Sequence, residues 1–124
     1  MTDKLSDNLN QIMMAKNAGK RNCELYSSKF LIKVLEIMKK NDYLDYEIKE
    51  DKFQKVAIKI KSLNKCSSIR PRFYIKKDEI EKYIRRFLPA RGFGIIIVST
   101  SKGLMAHTEA IEKGVGGSLI AYCF

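Results

Sequence analysis

The sequence contains little of what most enzymes and metalloproteins need. It has no tryptophan, one histidine, two prolines and three cysteines that are far apart. The cysteines show no CxxC spacing, which argues against both a zinc ribbon and a disulfide framework. A Cys3His metal site built from Cys23, Cys66, Cys123 and His107 stays formally possible. Scattered thiols are more commonly small buried hydrophobic side chains, and we expect that role here.

Long apolar segments are also missing. No stretch approaches the roughly 20 consecutive apolar residues of a membrane-spanning helix. The first residues, MTDKLSDNLNQ, lack the apolar core of a secretory signal. We therefore expect a protein of a cytosol-like compartment with no membrane partner.

Negative charge is scarce as well. The 124 residues include 24 Lys and Arg but 14 Asp and Glu, for a net charge of +10. Such an excess favours a polyanionic partner, with nucleic acid ahead of a membrane surface, although a lysine-rich solvated surface would also fit. Five of the six arginines lie in the second half, and the planar arginine side chain suits phosphate well. They are Arg70, Arg72, Arg85, Arg86 and Arg91.

The first 64 residues predict one small lobe with the order α-β-α-β-β. A helix is expected over residues 3–18, capped by Thr2 or Asp3, and a strand over 22–26. A second helix begins after Ser27 or Ser28 and ends at 41–42. Residues 43–48 and 53–61 then alternate apolar and polar side chains, which is typical of a hairpin with its turn at 50–52.

Residues 65–124 predict a second lobe with the order β-α-β-α-β, after a linker at 62–65. Strands are expected over 69–75, 94–98 and 119–124, and the first should lie at a sheet edge because it contains Pro71. Helices are expected over 77–88 and from Leu104 or Met105 to 113. The predicted class is therefore α/β in the α+β sense, with two domains, 1–64 and 65–124, and a mostly antiparallel or mixed sheet.

Enzymatic interpretations of this second lobe fail on detail. Ser99-x-x-Lys102 has the spacing of a serine–lysine nucleophile pair, but the companion motifs are missing or in the wrong order. No glycine run has the spacing of a phosphate-binding loop. A single histidine, His107, offers little for acid–base catalysis, and we expect it to be a capping or surface residue. We therefore expect no catalytic activity and no cofactor.

The stretch STSKG favours binding instead. The hydroxyls of Ser99, Thr100 and Ser101 follow a buried apolar strand and suit base edges and ribose 2′-hydroxyls. Lys102 can neutralise a phosphate, and Gly103 allows close backbone approach. The segment that precedes this strand and its helix adds three cations and an aromatic ring: Arg70, Arg72, Lys76 and Tyr74. For Tyr74, base stacking and core packing remain equally open.

The segment GFGIIIVSTSKGLMAHTEAIEKGVGGSLIAY resembles the C-terminal signature of the universal small-subunit ribosomal protein eight family. Upstream, RPRF and LPAR are similar to its archaeal and eukaryotic branch. The resemblance implies two small α/β lobes and direct binding to an irregular stem in the central domain of small-subunit rRNA. It assigns RNA contact to residues 99–103 and Tyr74, with support from Gly116 and Gly117. Ser28 and Lys29 match a backbone-contacting helix start.

Two positions depart from the family pattern. Bacterial members have glutamate where this chain has Ser118, and many members have a polar pair at Met13-Met14. The resemblance implies a structural constituent of the small ribosomal subunit, acting in ribosome assembly and translation in the cytoplasm. Its partners would be rRNA and neighbouring ribosomal proteins. The alternative is a basic RNA- or DNA-binding module outside the ribosome.

Overall fold

The structure is a computed structural model that describes residues 4–26, 28–48, 55–69, 74–89 and 93–124. It divides into two compact units, Met1–Lys65 and Cys66–Phe124. Several predicted features lie outside the described residues: the caps Thr2, Asp3 and Ser27, the turn at 50–52, and Arg70, Arg72 and Arg91.

The first unit has the predicted order α-β-α-β-β. Its helices are α1 (Lys4–Asn17) and α2 (Lys29–Lys40), and its strands are β1 (Asn22–Tyr26), β2 (Leu44–Ile48) and β3 (Lys55–Ile60). The strands form one antiparallel sheet in the order β1-β3-β2. The hairpin predicted from the change to a two-residue period is therefore confirmed.

A serine cap and a buried apolar face explain why the segment of α2 is helical. The Ser28 hydroxyl accepts a hydrogen bond from the Leu31 N–H at 3.1 Å, which satisfies one of the unpaired amides of the first turn. One face of the helix is buried, and its residues recur at helical spacing: Leu31, Val34, Leu35 and Met38. The helix ends at Asn41. The next residue, Asp42, has a φ of 63°, which is incompatible with continuation of the helix.

The second unit contains strands β4 (Cys66–Ser68), β5 (Tyr74–Ile75), β6 (Ile95–Thr100), β7 (Gly103–Ala106) and β8 (Gly117–Cys123). Its helices are α3 (Ile80–Phe87), which follows a 3-10 turn at Lys77–Glu79, and α4 (His107–Lys113). All strand pairs are antiparallel, in the order β4-β8-β6-β7, with β5 also paired to β8. The predicted α+β class is confirmed.

Two predicted elements of this unit differ most from the structure. Of the strand expected over 69–75, Tyr74–Ile75 form β5, whereas residues 70–73, including Pro71, lie outside the described residues. Cys66–Ser68 form a further short strand, β4, and strands β4 and β5 pair with opposite ends of β8. The helix expected from Leu104 or Met105 begins later, at His107, because residues 103–106 pair with β6 as strand β7. Tertiary pairing here overrides the helix propensity of leucine, methionine and alanine.

A single apolar core joins the helices to one face of this sheet. Its centre is fully buried, with Ile75, Ile80, Ile96, Val98 and Leu119 each at 1% exposure or less. Aromatic rings continue it toward the start of β6: Phe87 stacks on Tyr122 with ring centroids 5.4 Å apart, and Tyr122 stacks on Phe124 at 6.4 Å. These contacts anchor α3 to the sheet.

His107 belongs to this packing and is not a surface residue, contrary to the expectation. It is 4% exposed, and its Nδ1 accepts a hydrogen bond from the Ile96 N–H at 3.1 Å. Burial lowers the pKa of the imidazole. The side chain therefore ties the start of α4 to the start of β6.

Within the described ranges, no helix is both long and apolar enough to cross a membrane.

Candidate nucleic-acid interface

The STSKG stretch forms a tight hairpin between β6 and β7. Thr100 pairs with Gly103 across the strands, so only Ser101 and Lys102 form the turn. The Thr100 hydroxyl closes it, accepting from the Lys102 N–H at 3.1 Å and donating to the Gly103 carbonyl at 2.9 Å. The turn is therefore only part of the STSKG stretch, and one of the three hydroxyls of that stretch is used within the hairpin.

Gly103 is required by backbone conformation and not by space. Its φ is +110°, a region that side-chain-bearing residues rarely adopt, whereas nothing lies within 4 Å of a Cβ built there. A glycine with positive φ after a short turn is one of the standard ways to close a hairpin. Ser101 and Lys102 are consequently held at an exposed tip.

A row of four side chains crosses the sheet beside this tip. Tyr74 on β5 pairs with Ser118 on β8, Ser118 pairs with Ser99 on β6, and Ser99 pairs with Leu104 on β7. Directly opposed residues project from the same face of a sheet. Tyr74 is 76% exposed, and the other three are half-buried. This cross-strand row (Tyr74, Ser118, Ser99, Leu104) lies on the face opposite the core under the helices.

Two glycines allow the strands of the row to approach each other. A Cβ on Gly116 would lie 2.3 Å from the Ile75 carbonyl oxygen, and one on Gly117 would lie 2.2 Å from the Ser99 carbonyl oxygen. Cβ atoms do not approach other atoms this closely. The glycines therefore hold β5 and β6 against β8, which fixes the separation of Tyr74 and Ser99.

The hydroxyls at this end of the sheet differ in availability. Thr100 is used by the hairpin. In contrast, the hydroxyls of Tyr74, Ser99, Ser101 and Ser118 have no protein partner among the residues that the structure describes. Hydroxyls that both donate and accept suit base edges and ribose 2′-hydroxyls.

The charge at this surface is positive. Lys102 at the turn and Lys76, which follows β5, are both exposed. No carboxylate belongs to the row or to the turn. Over residues 65–124 the sequence has 11 Lys and Arg against 5 Asp and Glu. Such a surface attracts phosphate. Among the predicted site residues, Arg70 and Arg72 lie outside the described part of the chain.

The two predicted site residues of the first unit lie at the start of α2. Ser28 caps the helix and Lys29 is its first residue, and both are exposed. The positive end of the helix dipole and a lysine together favour an anion such as phosphate. The structure thus keeps Ser28 and Lys29 adjacent and accessible, as a feature of the first unit alone.

A groove of about 560 Å³ lies on the sheet of the first unit. Its lining includes three carboxylates and a single cation, Lys59, so it is poorly suited to a polyanion. The residues that line it are Asn22, Cys23, Glu24, Asp45, Tyr46, Glu47, Ala57, Ile58 and Lys59.

The cysteines behave as packed side chains. Cys66 and Cys123 face each other across β4 and β8 as free, buried thiols, and burial with the neighbouring thiol raises the pKa of Cys123. Burial also raises the pKa of Cys23. Over the described ranges, no three His, Cys, Asp or Glu side chains cluster as metal ligands.

Ser118 belongs to the cross-strand row, although the sequence patterns do not predict this position. The register places it between Tyr74 and Ser99, at the centre of the row. Its position after two glycines and before an apolar strand gave no signal of this, because only strand pairing shows which residues are neighbours.

A family model described as Ribosomal protein S8 matches residues 3–124. The chain belongs to the ribosomal protein S8 family.

Membership in the S8 family defines the general role of the protein. S8 proteins are structural components of the small ribosomal subunit, a ribonucleoprotein, and they bind rRNA and act in translation. The family is non-enzymatic.

Proposed function

We propose that this S8 protein binds small-subunit rRNA directly through the hairpin end of its C-terminal sheet, at an irregular stem of the central domain. The observation that carries the proposal is the cross-strand row, where hydroxyls that have no partner among the described residues lie beside exposed lysines. A regular duplex offers no unpaired base to such a row, whereas an irregular stem does. Early binding of this kind supports assembly of the subunit.

Affinity and specificity have different sources in this proposal. Lysines and arginines bind phosphates and release counterions, which makes affinity dependent on salt. Ser99 and Ser101 bind base edges or ribose hydroxyls and give specificity. Thr100 and Gly103 maintain the shape of the hairpin. Ser28 and Lys29 add a phosphate contact from the first unit, and Arg70 and Arg72 add further cations.

The protein acts within the cytoplasmic small subunit and contacts neighbouring ribosomal proteins, with no cofactor. The RPRF and LPAR segments support assignment to the archaeal and eukaryotic branch. No catalytic role is proposed for Ser99 or Lys102.

Filter binding to a central-domain stem over a salt series tests the proposal. Changing Ser99 and Ser101 together to Ala should weaken binding about 10- to 100-fold, as expected for two neutral hydrogen bonds, without changing the salt slope. Lys76→Ala should instead lower the slope by about one unit and affect every RNA equally. If the double serine variant also loses a unit of slope, the hairpin is only another phosphate contact.

Sedimentation tests the alternative of a basic module outside the ribosome. The proposed function requires the chain to migrate with the small subunit on a sucrose gradient after a high-salt wash. Migration at the top of the gradient, with equal binding to duplex DNA and to the stem, would support the alternative.

A further inference from the structure

Two buried thiols of the second unit form a modification site that the RNA-binding role does not use. We infer that Cys66 and Cys123 are a redox-active pair, which hydrogen peroxide converts into a disulfide between strands β4 and β8. The bridge joins the first residue of the second unit to its second-last residue. The inference is independent of the proposed RNA contacts.

The ladder between β4 and β8 brings the two thiols together. Cys66 pairs directly with Cys123 in this antiparallel ladder. Further along the same register, the Ile69 N–H donates to the Ile120 carbonyl at 2.9 Å, which makes that pair a hydrogen-bonded one. Hydrogen-bonded and non-hydrogen-bonded pairs alternate along an antiparallel ladder, so Cys66 and Cys123 form a non-hydrogen-bonded pair.

Backbone direction on the other side of β8 leads to the same assignment. The Ile96 N–H donates to His107 Nδ1 and therefore points away from β8. The pair of Ile96 with Tyr122 is consequently non-hydrogen-bonded, and the next pair, Ile95 with Cys123, is hydrogen-bonded. The backbone N–H and carbonyl of Cys123 are therefore directed toward β6 and away from β4.

A pair of this type suits a disulfide. Directly opposed Cα atoms at non-hydrogen-bonded positions lie about 4.5 Å apart, within the range of roughly 4.4–6.8 Å that disulfides bridge. The two thiols also influence each other, because burial and the neighbouring Cys66 raise the pKa of Cys123. The bridge therefore requires little movement of the two strands.

Access to the pair depends on opening of β4. Cys66 and Cys123 are 4% and 1% exposed, and buried thiols in apolar surroundings are inert. Strand β4 has only three residues and lies at the edge of the sheet, where few contacts oppose local opening. Opening exposes Cys66 first, because Cys123 stays paired with Ile95 on the other side.

The reaction is a two-electron oxidation of the pair. The Cys66 thiolate attacks one peroxide oxygen and the O–O bond breaks, which gives a Cys66 sulfenic acid and, with one proton, water. When β4 closes again, the Cys123 sulfur attacks the Cys66 sulfur. The S–S bond forms, and the displaced hydroxyl leaves with the Cys123 proton as a second water. Two thiols are oxidised, and one peroxide is reduced to two waters.

The bridge encloses the elements of the second unit in one covalent loop. The loop runs from residue 66 to residue 123, so every helix and strand described for this unit lies within it. Closing a loop of this length lowers the entropy of the unfolded chain and should raise the folding equilibrium constant about 1000-fold. Oxidation therefore stabilises the unit that carries the STSKG hairpin without altering a residue of the hairpin.

Peptide mapping of the folded, full-length wild-type protein tests the inference. The reduced protein is treated with hydrogen peroxide, the remaining thiols are blocked with a maleimide, and proteolytic peptides are analysed by mass spectrometry. We expect a pair of peptides joined through Cys66 and Cys123. Cys23 should carry the maleimide instead, because it lies in the first unit and pairs with Ile58.

Two variants separate the bridge from general oxidation. Cys23→Ala should still form the bridge, whereas Cys123→Ala should stop at a Cys66 sulfenic acid that dimedone traps. In urea unfolding, peroxide should raise the folding equilibrium constant of the wild-type second unit about 1000-fold, and that of Cys123→Ala less than about twofold. Absence of the peptides joined through Cys66 and Cys123, a bridge through Cys23, or an equal shift in both proteins overturns the inference.

Discussion

Gly117→Ala should damage both the fold and the RNA surface. The added Cβ would lie 2.2 Å from the Ser99 carbonyl oxygen and 2.8 Å from its carbonyl carbon, against a practical minimum of 3.0 Å. Strands β6 and β8 must therefore move apart by at least about 0.8 Å. Overpacking of this kind costs about 1–3 kcal/mol, and weakened ladder hydrogen bonds add about 1 kcal/mol each. We expect a total loss of about 3–4 kcal/mol in the free energy of unfolding.

Gly114→Ala is the matched control for this prediction. Gly114 ends α4 with a φ of +66°, but nothing lies within 4 Å of a Cβ built there. The substitution therefore adds only left-handed strain, about 1–2 kcal/mol. It should leave RNA affinity unchanged, because it does not displace Ser99.

Urea unfolding monitored by circular dichroism measures both losses, and filter binding at a temperature where each variant is folded measures the RNA effect. Gly117→Ala should lower affinity for the stem even when folded, because Ser99 and Ser118 no longer hold their register. Equal destabilisation of the two variants, or unchanged RNA affinity in folded Gly117→Ala, would refute the reasoning.

Substitutions at three further positions test the roles of single side chains. Thr100→Val removes both hairpin hydrogen bonds, so it should speed amide hydrogen exchange at Lys102 and weaken RNA binding. Thr100→Ser keeps the hydroxyl and should show wild-type exchange and wild-type binding. Equal behaviour of the two variants would contradict this prediction. Burial holds the pKa of His107 below its ordinary value of 6.5, so the unfolded chain binds more protons in acid. The contribution of His107 to the free energy of unfolding should be fully present above about pH 6.5 and decrease as the pH falls below that value. His107→Leu should remove this pH dependence. It should also lower the free energy of unfolding by about 1–3 kcal/mol, because the Ile96 N–H is left without an acceptor. Ser28→Asp should keep the helix cap, which an unchanged urea midpoint would show, but weaken RNA binding because the carboxylate repels phosphate. Ser28→Ala should lower the free energy of unfolding by about 1 kcal/mol. Tighter RNA binding by the aspartate variant would exclude a phosphate contact at this position.

Local patterns in the sequence were sufficient to predict most of the first unit. The apolar stripe and serine cap of α2, and the alternation of apolar residues with lysine in β3, depend on neighbours within one element. Such patterns identify an element without knowledge of its partners. The order α-β-α-β-β followed directly.

The second unit was less predictable because its decisive contacts are distant in sequence. The residues of strand β7 favour a helix when considered alone, and only their pairing with β6 shows that they form a strand. The sequence likewise predicts a surface position for His107, because its contact with Ile96 is not visible in the local pattern. The place of Ser118 in the cross-strand row also depends on strand pairing. The chemistry of the hairpin was visible in its residue types, but the distinction between Thr100, which closes the turn, and its neighbours requires the hydrogen bonds themselves.

The position of β8 has a consequence for how the protein is made. Strand β8 pairs with β4, β5 and β6, yet it follows all of them in the chain. The sheet of the second unit therefore cannot be completed until residues 117–123 have been synthesised, whereas the first unit closes its sheet within residues 22–60. Domains fold as units during synthesis, beginning from the N-terminus. A nascent chain that stops before β8 can pair β6 with β7 but cannot bring Tyr74 into line with Ser99, because both are joined through Ser118. It therefore presents only part of the cross-strand row.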